Sequence, residues 1–306
     1  MKHGLVSAVI TTHNRKELLL KAITSVLKQT YHSIECIVVD DASTDGTRQF
    51  IQKFIDAGSI QYIYIKPECS KGGNYARNIG INQAKGEYIA FCDDDDEWLS
   101  TKIEKQVNKM ESNENVGFVY CGMIVEKDFN IHTRICRPNK IHEYYEGDLS
   151  KLILTRIITN TSTIMVKRSL LQRIGGFDEN LKYWQEYELC IRILQEVQAG
   201  AVKDNLILYR NITKDKNRLS NKIKGWEESV KYIENKHKDF IETLTEEEND
   251  VRKMYIYIDG FLRGYNAQSG FYMLKYLKLT LRSKQIRRMI IHKAYKKIKN
   301  KVRKME

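Results

Sequence analysis

Several features that would place a chain at once in a familiar class are missing here. No uninterrupted apolar stretch approaches the roughly 20 residues that cross a bilayer, although 42% of the 306 residues are hydrophobic, as in an ordinary globular protein. The opening Met1-Lys2-His3-Gly4-Leu5 has no signal-peptide core before the first apolar run, so a cytoplasmic protein is expected. The six cysteines (36, 69, 92, 121, 136 and 190) form no Cys-x-x-Cys pair, which argues against zinc and disulfides and for reduced structural thiols. No internal repeat is present. Acids are nearly absent from the C-terminal stretch, where residues 271–306 hold 13 Lys+Arg and one acid, Glu306. Residues 1–270 balance at 38 bases and 38 acids, so the whole net charge of +12 sits in that tail. No basic stripe for nucleic acid therefore crosses the rest of the chain.

What is present is led by Phe91-Cys92-Asp93-Asp94-Asp95-Asp96-Glu97-Trp98, five successive acids after the strand-like Glu87–Phe91. Adjacent carboxylates repel and cannot be buried bare, so the run calls for a counter-cation or a cationic ligand. A divalent ion suits them: Mg²⁺ or Mn²⁺ prefers hard oxygen ligands and takes one or two protein carboxylates, with water and phosphate oxygens completing its shell. The chemistry implied is metal-assisted work on a phosphate-bearing substrate.

Around that run the first 100 residues alternate apolar runs and amphipathic stretches in a βα rhythm, which predicts a largely parallel sheet flanked by helices. Strands are expected at Leu5–Thr11, Glu35–Asp40, Ile60–Ile65 and Glu87–Cys92, and helices at Asn14–Lys28, Thr47–Ala57, Tyr75–Lys85 and about Thr101–Met110. Later strands are expected at Val116–Val125, Ser162–Val166 and Leu206–Tyr209, a polar loop at 134–147, and a helix at Trp184–Gln195. Ligands of open α/β sheets bind beyond the C-terminal ends of strands. Three such ends carry Thr11-Thr12-His13-Asn14, Asp40-Asp41 and Asp93 to Asp96, so three polar clusters converge on one edge.

Six segments in order carry a resemblance: Val9-Ile10-Thr11-Thr12-His13-Asn14-Arg15, Ser25 to Tyr31, Ile37 to Thr47, Ala76-Arg77-Asn78-Ile79-Gly80, Phe91 to Trp98, and Gly175-Gly176-Phe177-Asp178-Glu179. Over about residues 5–215 the chain resembles an inverting family-two glycosyltransferase with the nucleotide-sugar-binding α/β fold called GT-A. The resemblance implies that Asp41 accepts a hydrogen bond from a uracil imide, a group that only an acceptor recognises. It also implies that Thr11, His13 and Asn14 line the base and ribose, that Arg77, Asp93 and Asp94 belong to the donor site, and that Asp95 of the DxD motif binds Mn²⁺ or Mg²⁺. Helix capping by Asp41 and Ser43 is the competing reading of that strand end. Asp96 is expected either to face the acceptor or to cap a helix entered at Trp98.

An inverting transfer needs a base for the attacking hydroxyl. The family places an Asp, preceded by Glu, after the glycine-glycine-phenylalanine turn; this chain reads Gln185-Glu186-Tyr187-Glu188, which puts Glu186 in the base position with Glu188 as fallback. Tyr209-Arg210-Asn211-Ile212 stands where the family often has Tyr-Arg-x-His, leaving Arg210 or Lys214 to supply positive charge to the diphosphate.

The division expected is a GT-A domain over residues 1–215 and a helical, basic region over 216–306. Within the latter, 286–304 reads as a basic amphipathic helix suited either to an anionic membrane surface or to packing on its neighbours. The function expected is metal-dependent transfer of a hexosyl or N-acetylhexosaminyl group from a UDP-sugar to a glycan or lipid-linked acceptor in surface-polysaccharide synthesis, at the cytoplasmic face of the membrane. Alternatives are a nucleotidyltransferase, for which the glycine-rich phosphate loop is missing, and a non-catalytic donor-binding protein, which the glutamine at 185 would suit.

Overall fold

In the computed structural model, residues 4–127, 134–135, 145–211, 223–283 and 287–288 are described. They form two compact units. The first comprises residues 1–150, Ile158–Leu181 and Gln185–Asp215, and the second Lys151–Ile157, Lys182–Trp184 and residues 216–306.

The first unit opens with strand β1 (Val6–Thr12), helix α1 (Lys16–Leu27) and β2 (Ile34–Asp41), followed by short helices α2 (Thr47–Phe50) and α3 (Gln52–Asp56) and β3 (Gln61–Ile65). Then come α4 (Gly73–Gln83), β4 (Tyr88–Asp93), β5 (Glu97–Trp98), α5 (Lys102–Glu111), β6 (Val116–Lys127) and β7 (Arg134–Ile135). Helix α6 (Ser150–Thr155) follows in sequence but belongs, from Lys151 on, to the second unit; β8 (Met165–Lys167), α7 (Arg168–Arg173), α8 (Gln185–Leu194) and β9 (Gln198–Asn211) complete the sheet-bearing part. The strands join in the order β3-β2-β1-β4-β8-β6-β9-β5, with β7 on β6. Pairs among β3, β2, β1 and β4 are all parallel, as is β6 with β9, whereas β8 runs antiparallel to both its neighbours.

The apolar periodicity explains this layer. Helix α1 buries Leu19, Ala22, Ile23 and Val26 against the same core that holds Val6, Ala8 and Ile10 of β1 and Val38 of β2. Helix α4 lies so close to the sheet that a Cβ on Gly80 would come 2.4 Å from Val9 Cγ1. Four cysteines, 36, 92, 121 and 190, are free and buried; Cys69 is free and exposed, and Cys136 lies outside the described residues.

Four elements differ from expectation. The helix expected over Thr47–Ala57 breaks at Ile51 (φ −103°, ψ 7°), whose fully buried side chain turns into the core. Ser162 lies in a 3-10 turn, Thr161–Thr163, closed by a reciprocal capping box with Asn160, and the strand begins only at Met165. Trp98 enters a two-residue strand on β9 rather than a helix. Strand β9 runs for 14 residues, its first half hidden in sequence by small and polar residues. One of these, Gly200, faces Lys109 so closely that a Cβ would sit 2.9 Å from Lys109 Cγ. Of the expected 134–147 loop, 134–135 pair with β6 and 136–144 lie outside the described residues.

The second unit contains α9 (Ile223–Lys236), α10 (Lys238–Glu242), α11 (Glu246–Asn266) and α12 (Gly270–Arg282). Its core centres on Trp226, fully buried, with Trp184 edge-on at 5.5 Å and Tyr276 at 5.7 Å between ring centroids. Thr245 and Glu248 form a capping box that starts α11. Among the described residues no helix is long and apolar enough to cross a membrane. Most of the expected basic helix at 286–304 lies outside them, as do Ile212 and Lys214.

Candidate active site

Because β2, β1 and β4 are neighbours in one parallel sheet, their C-terminal ends meet. Thr11 stands in register with Val39 on one side and Asp93 on the other, and Thr12 with Asp40. Beyond β1 the chain turns through Asn14, whose φ of 55° lies in the left-handed region that asparagine tolerates. Its backbone N–H donates to Ser43 Oγ at 2.8 Å and its Oδ1 accepts from the Thr44 N–H at 2.7 Å. His13 Nδ1 lies 2.5 Å from the Asp41 carbonyl oxygen and His13 Nε2 lies 2.9 Å from Asn14 Nδ2. Both contacts fit the tautomer with its proton on Nδ1, donating to the carbonyl while Nε2 accepts from the Asn14 amide. His13 and Asn14 thus lace the β1 and β2 ends together.

Asp40 is consumed by structure: its Oδ1 accepts from the Ser43 N–H at 2.8 Å and its Oδ2 from the Tyr62 hydroxyl at 2.7 Å. Asp41 differs. Its Oδ1 is buried with no hydrogen-bond partner among the described residues. Helix α2 starts at Gly46 without a side-chain cap, and Asp45, not Asp41, takes the Thr47 N–H at 3.1 Å. The capping reading of Asp41 therefore does not hold. A buried acceptor without a donor costs about 1–3 kcal/mol, which an incoming N–H would recover.

The acid run folds as a turn, with the Asp96 N–H donating to the Asp93 carbonyl at 3.0 Å. Its side chains divide by burial: those of Asp93 and Asp95 are 31% and 23% exposed, that of Asp94 only 7%, and Asp96 is buried. Arginines neutralise much of the run. Arg77 pairs with Asp93 at 2.7 Å, and Arg15 reaches Asp94 at 3.1 Å and Asp95 at 3.3 Å. Arg210 lies against Glu97 and, at 3.4 Å, Glu126. Burial pushes the Asp94 carboxyl up to about 6, with the Asp95 charge adding to it and Arg15 and the 2.8 Å bond from Thr12 Oγ1 opposing it. Burial first, then the Asp95 and Asp93 charges, pushes Asp96 well above the usual carboxylate range.

One expectation changes accordingly. Asp96 neither caps a helix nor faces outward: it is enclosed under the turn and accepts from the Arg210 N–H at 3.4 Å. Arg210 is buried between Glu97 and Glu126, with its Nη1 left without a hydrogen-bond partner among the described residues.

Among the described residues no cluster of three His, Cys, Asp or Glu side chains could hold an ion by itself. The outward pair, Asp93 and Asp95, nevertheless fits Mg²⁺ or Mn²⁺, because these ions need only one or two carboxylates where phosphate oxygens are at hand.

The other wall of the site comes from α4 and α8. Asn78 brackets the Gly175–Phe177 turn, its Oδ1 accepting from the Phe177 N–H at 2.7 Å and its Nδ2 donating to the Phe177 carbonyl at 2.9 Å. A side chain at Gly176, with φ +66°, would collide with that amide. The turn sets Phe177 beneath the Arg77 guanidinium, 5.3 Å from the ring centroid. Arg77 Nη1 then donates to Gln185 Oε1 at 3.3 Å, so Asp93, Arg77 and the first turn of α8 are joined. Glu186, half-buried, follows Gln185 in that turn. Glu188 is fully buried and held by both arms of Arg192 at 2.9 and 2.7 Å, while Arg192 also donates to the Ile174 carbonyl at 2.8 Å.

Sequence reasoning gave no role to Arg15, to Thr12, or to Ser162, whose Oγ accepts the Asp93 N–H at 3.0 Å. Arg15 stood inside a motif already noted; Ser162 arrives from 69 residues away and leaves no local signal.

The profile of the family described as "Glycosyl transferase family 2" matches residues 7–175. That is more than half of the 306 residues, and the chain belongs to this family. It is 43% identical over 138 residues to the "UDP-Glc:alpha-D-GlcNAc-diphosphoundecaprenol beta-1,3-glucosyltransferase WfaP" of Escherichia coli, covering 45% of this chain and 53% of that protein. It therefore spans little more than half the length of that curated relative. Over 239 residues it is 30% identical to the Escherichia coli enzyme of the same description, WfgD, covering 77% of this chain and 89% of the relative. Among solved structures, S. aureus TarS 1-349 in complex with UDP-GlcNAc aligns with a TM-score of 0.63 over 85% of this chain and 72% of that one, at 17% identity. At that identity the likeness speaks for the fold.

Proposed function

We propose that the chain moves a hexosyl or N-acetylhexosaminyl group from a UDP-sugar to a hydroxyl of a lipid-linked surface glycan, with inversion at the anomeric carbon. The observation that carries this reading is the buried, unpartnered Asp41 Oδ1 on the sheet edge that also presents Asp93 and Asp95. The names of WfaP and WfgD, which specify a UDP-Glc donor and a diphosphoundecaprenol-linked acceptor, support the substrate classes.

In this reading Asp41 accepts the uracil imide N–H, and Thr11, His13 and Asn14 line the base and ribose. Asp94, held by Thr12 and Arg15, and Asp93, held by Arg77, face the ribose and diphosphate. Asp95 would hold Mn²⁺ or Mg²⁺ together with diphosphate oxygens, and the ion would offset charge on the leaving group. Glu186 accepts the proton of the acceptor hydroxyl as that oxygen bonds to the anomeric carbon from the face opposite the diphosphate. The bond from carbon to diphosphate oxygen breaks, and its electron pair leaves with UDP. The buried pair of Glu188 with Arg192 supports Glu186 over Glu188 for the role. Gln185 has a positioning use, holding Arg77, so its presence is no argument for a non-catalytic protein. The tail charge of residues 271–306 would hold the enzyme peripherally at the anionic inner face of the membrane, where such acceptors reside.

The test is a panel of UDP-, GDP- and dTDP-sugars incubated with Mn²⁺ and a prenyl-diphosphate-linked GlcNAc. UDP release from one UDP-sugar, accelerated by the acceptor, is expected. UDP binding without release from any UDP-sugar would favour a non-catalytic binder, and nucleoside triphosphate-dependent product formation a nucleotidyltransferase.

A further inference from the structure

The α11–α12 hairpin is apolar on both sides. Inward, a Cβ on Gly260 would come 2.6 Å from the Tyr276 ring and one on Gly264 3.0 Å from the Met273 nitrogen, so the two helices are in close contact. Tyr276 also packs on Trp226 and hydrogen-bonds Glu227. Core formation is therefore satisfied on that side. Outward, Ile258, Leu262 and Tyr265 recur every three to four residues of α11, as do Leu274, Leu277 and Leu281 of α12, with Phe271 beside them. These residues are 40 to 71% exposed. A large exposed apolar face of this kind marks an interaction surface.

Its charge setting identifies the partner. Exposed Lys278 and Arg282 border the α12 stripe, and Arg287 and Arg288 follow, also exposed. From Gly260 to Met305 the sequence has no acid. A second copy of the chain would bring two such cationic faces together, which is repulsive. Neither helix can span a bilayer. An apolar stripe edged by lysine and arginine, with aromatic residues at its margin, suits the headgroup boundary of an anionic bilayer.

We infer that the exposed face of α11 and α12 seats in an anionic lipid surface, with Phe271, Leu274 and Leu281 entering the acyl boundary. This deepens the lipid-linked-acceptor reading and rests on it only for placing the enzyme at a membrane. It also moves the contact from the basic tail alone to an apolar wedge upstream of it.

The test uses the full chain with phosphatidylglycerol–phosphatidylcholine vesicles and with phosphatidylcholine alone. Wild type should sediment with the anionic vesicles. Leu274→Ser combined with Leu281→Ser should lower that partitioning roughly tenfold to a hundredfold through lost apolar burial. Its thermal unfolding and its hydrolysis of a soluble UDP-sugar should stay unchanged. A Phe271→Trp reporter should blue-shift on adding anionic vesicles and not on adding neutral ones. The inference is overturned if wild type ignores anionic vesicles, if the double variant partitions like wild type, or if the reporter stays unshifted while the protein binds. It is also overturned if sedimentation reveals a dimer that the double variant dissolves. Hydrolysis is read in lipid-free samples, so failure here and failure of the transfer reading are separate results.

Discussion

Replacing Asp41 by alanine should move stability and ligand affinity in opposite directions. Asp41 Oδ1 is buried without a partner in the ligand-free protein, and its backbone carbonyl, which His13 contacts, survives the substitution. Removing a buried, unsatisfied acceptor relieves a cost of about 1–3 kcal/mol, partly offset by the weaker van der Waals packing of the smaller side chain, so ligand-free stability should rise by about 1 kcal/mol or hold level. With nucleotide bound, the same change removes a hydrogen bond to a charged acceptor, worth about 1.5–3 kcal/mol. At 1.4 kcal/mol per decade this is about a tenfold to 150-fold weaker Kd for UDP. Titration calorimetry with UDP and CDP gives the sharper reading, because uracil presents an N–H where cytosine presents a bare nitrogen. Wild type should prefer UDP, and Asp41→Ala should lose that preference. Equal affinity losses for both nucleotides, or an unchanged UDP Kd, would refute the assignment of Asp41 to the base.

Glu186→Gln should lower transfer by roughly a hundredfold to ten-thousandfold with UDP affinity and melting temperature unchanged. Glu188→Gln should instead cost about 3 kcal/mol in urea unfolding, by leaving Arg192 without its carboxylate; a stable but inactive Glu188→Gln protein would move the base to that residue. Asp95→Asn should slow transfer by about a hundredfold or more and abolish the Mn²⁺-dependent gain in UDP affinity measured with and without chelator; transfer at full rate in chelator would end the metal assignment. Lys102 is fully buried over the Trp98 ring with its ammonium on Gln106 Oε1 at 2.6 Å, and burial pulls it down to about 8 from 10.5. Between those two values the unfolded chain holds a proton the native state lacks, so native stability should gain on the order of 3 kcal/mol from pH 8 to 10.5 relative to Lys102→Met. Parallel pH–stability curves for the two proteins would show that Lys102 is not desolvated as described.

The βα core was legible because its signals are local and periodic: Leu19, Ala22, Ile23 and Val26 repeat at helical spacing, and Val6–Thr12 is a buried run bounded by polar residues. The acid run was legible as a cluster of carboxylates at a strand end but not in its arrangement. Which carboxylates point inward depends on a turn of four residues, and the cations that meet them, Arg15, Arg77 and Arg210, come from three other elements. Strand β9 was foreseen only over its apolar end, because Ala199-Gly200-Ala201 carries no strand pattern and is fixed instead by contact with α5 and β6. The apolar outer face of α12 escaped notice for the opposite reason: its leucines repeat as a core stripe would, and only packing reveals that Tyr276 and Leu279 fill the core in their place.

The chain of contacts from Asp93 through Arg77 to Gln185 acts as a spacer bar between two pieces of sequence 92 positions apart. Its length fixes the gap between the strand end that would grip the donor and the helix that would receive the acceptor. A chimera that takes its donor half from this protein and its acceptor half from a relative with glutamate at the position of Gln185 would pit a second carboxylate against Asp93 for a single guanidinium. A recombination seam between residues 77 and 185 therefore splits the bar, and one outside that interval lets both of its ends travel together.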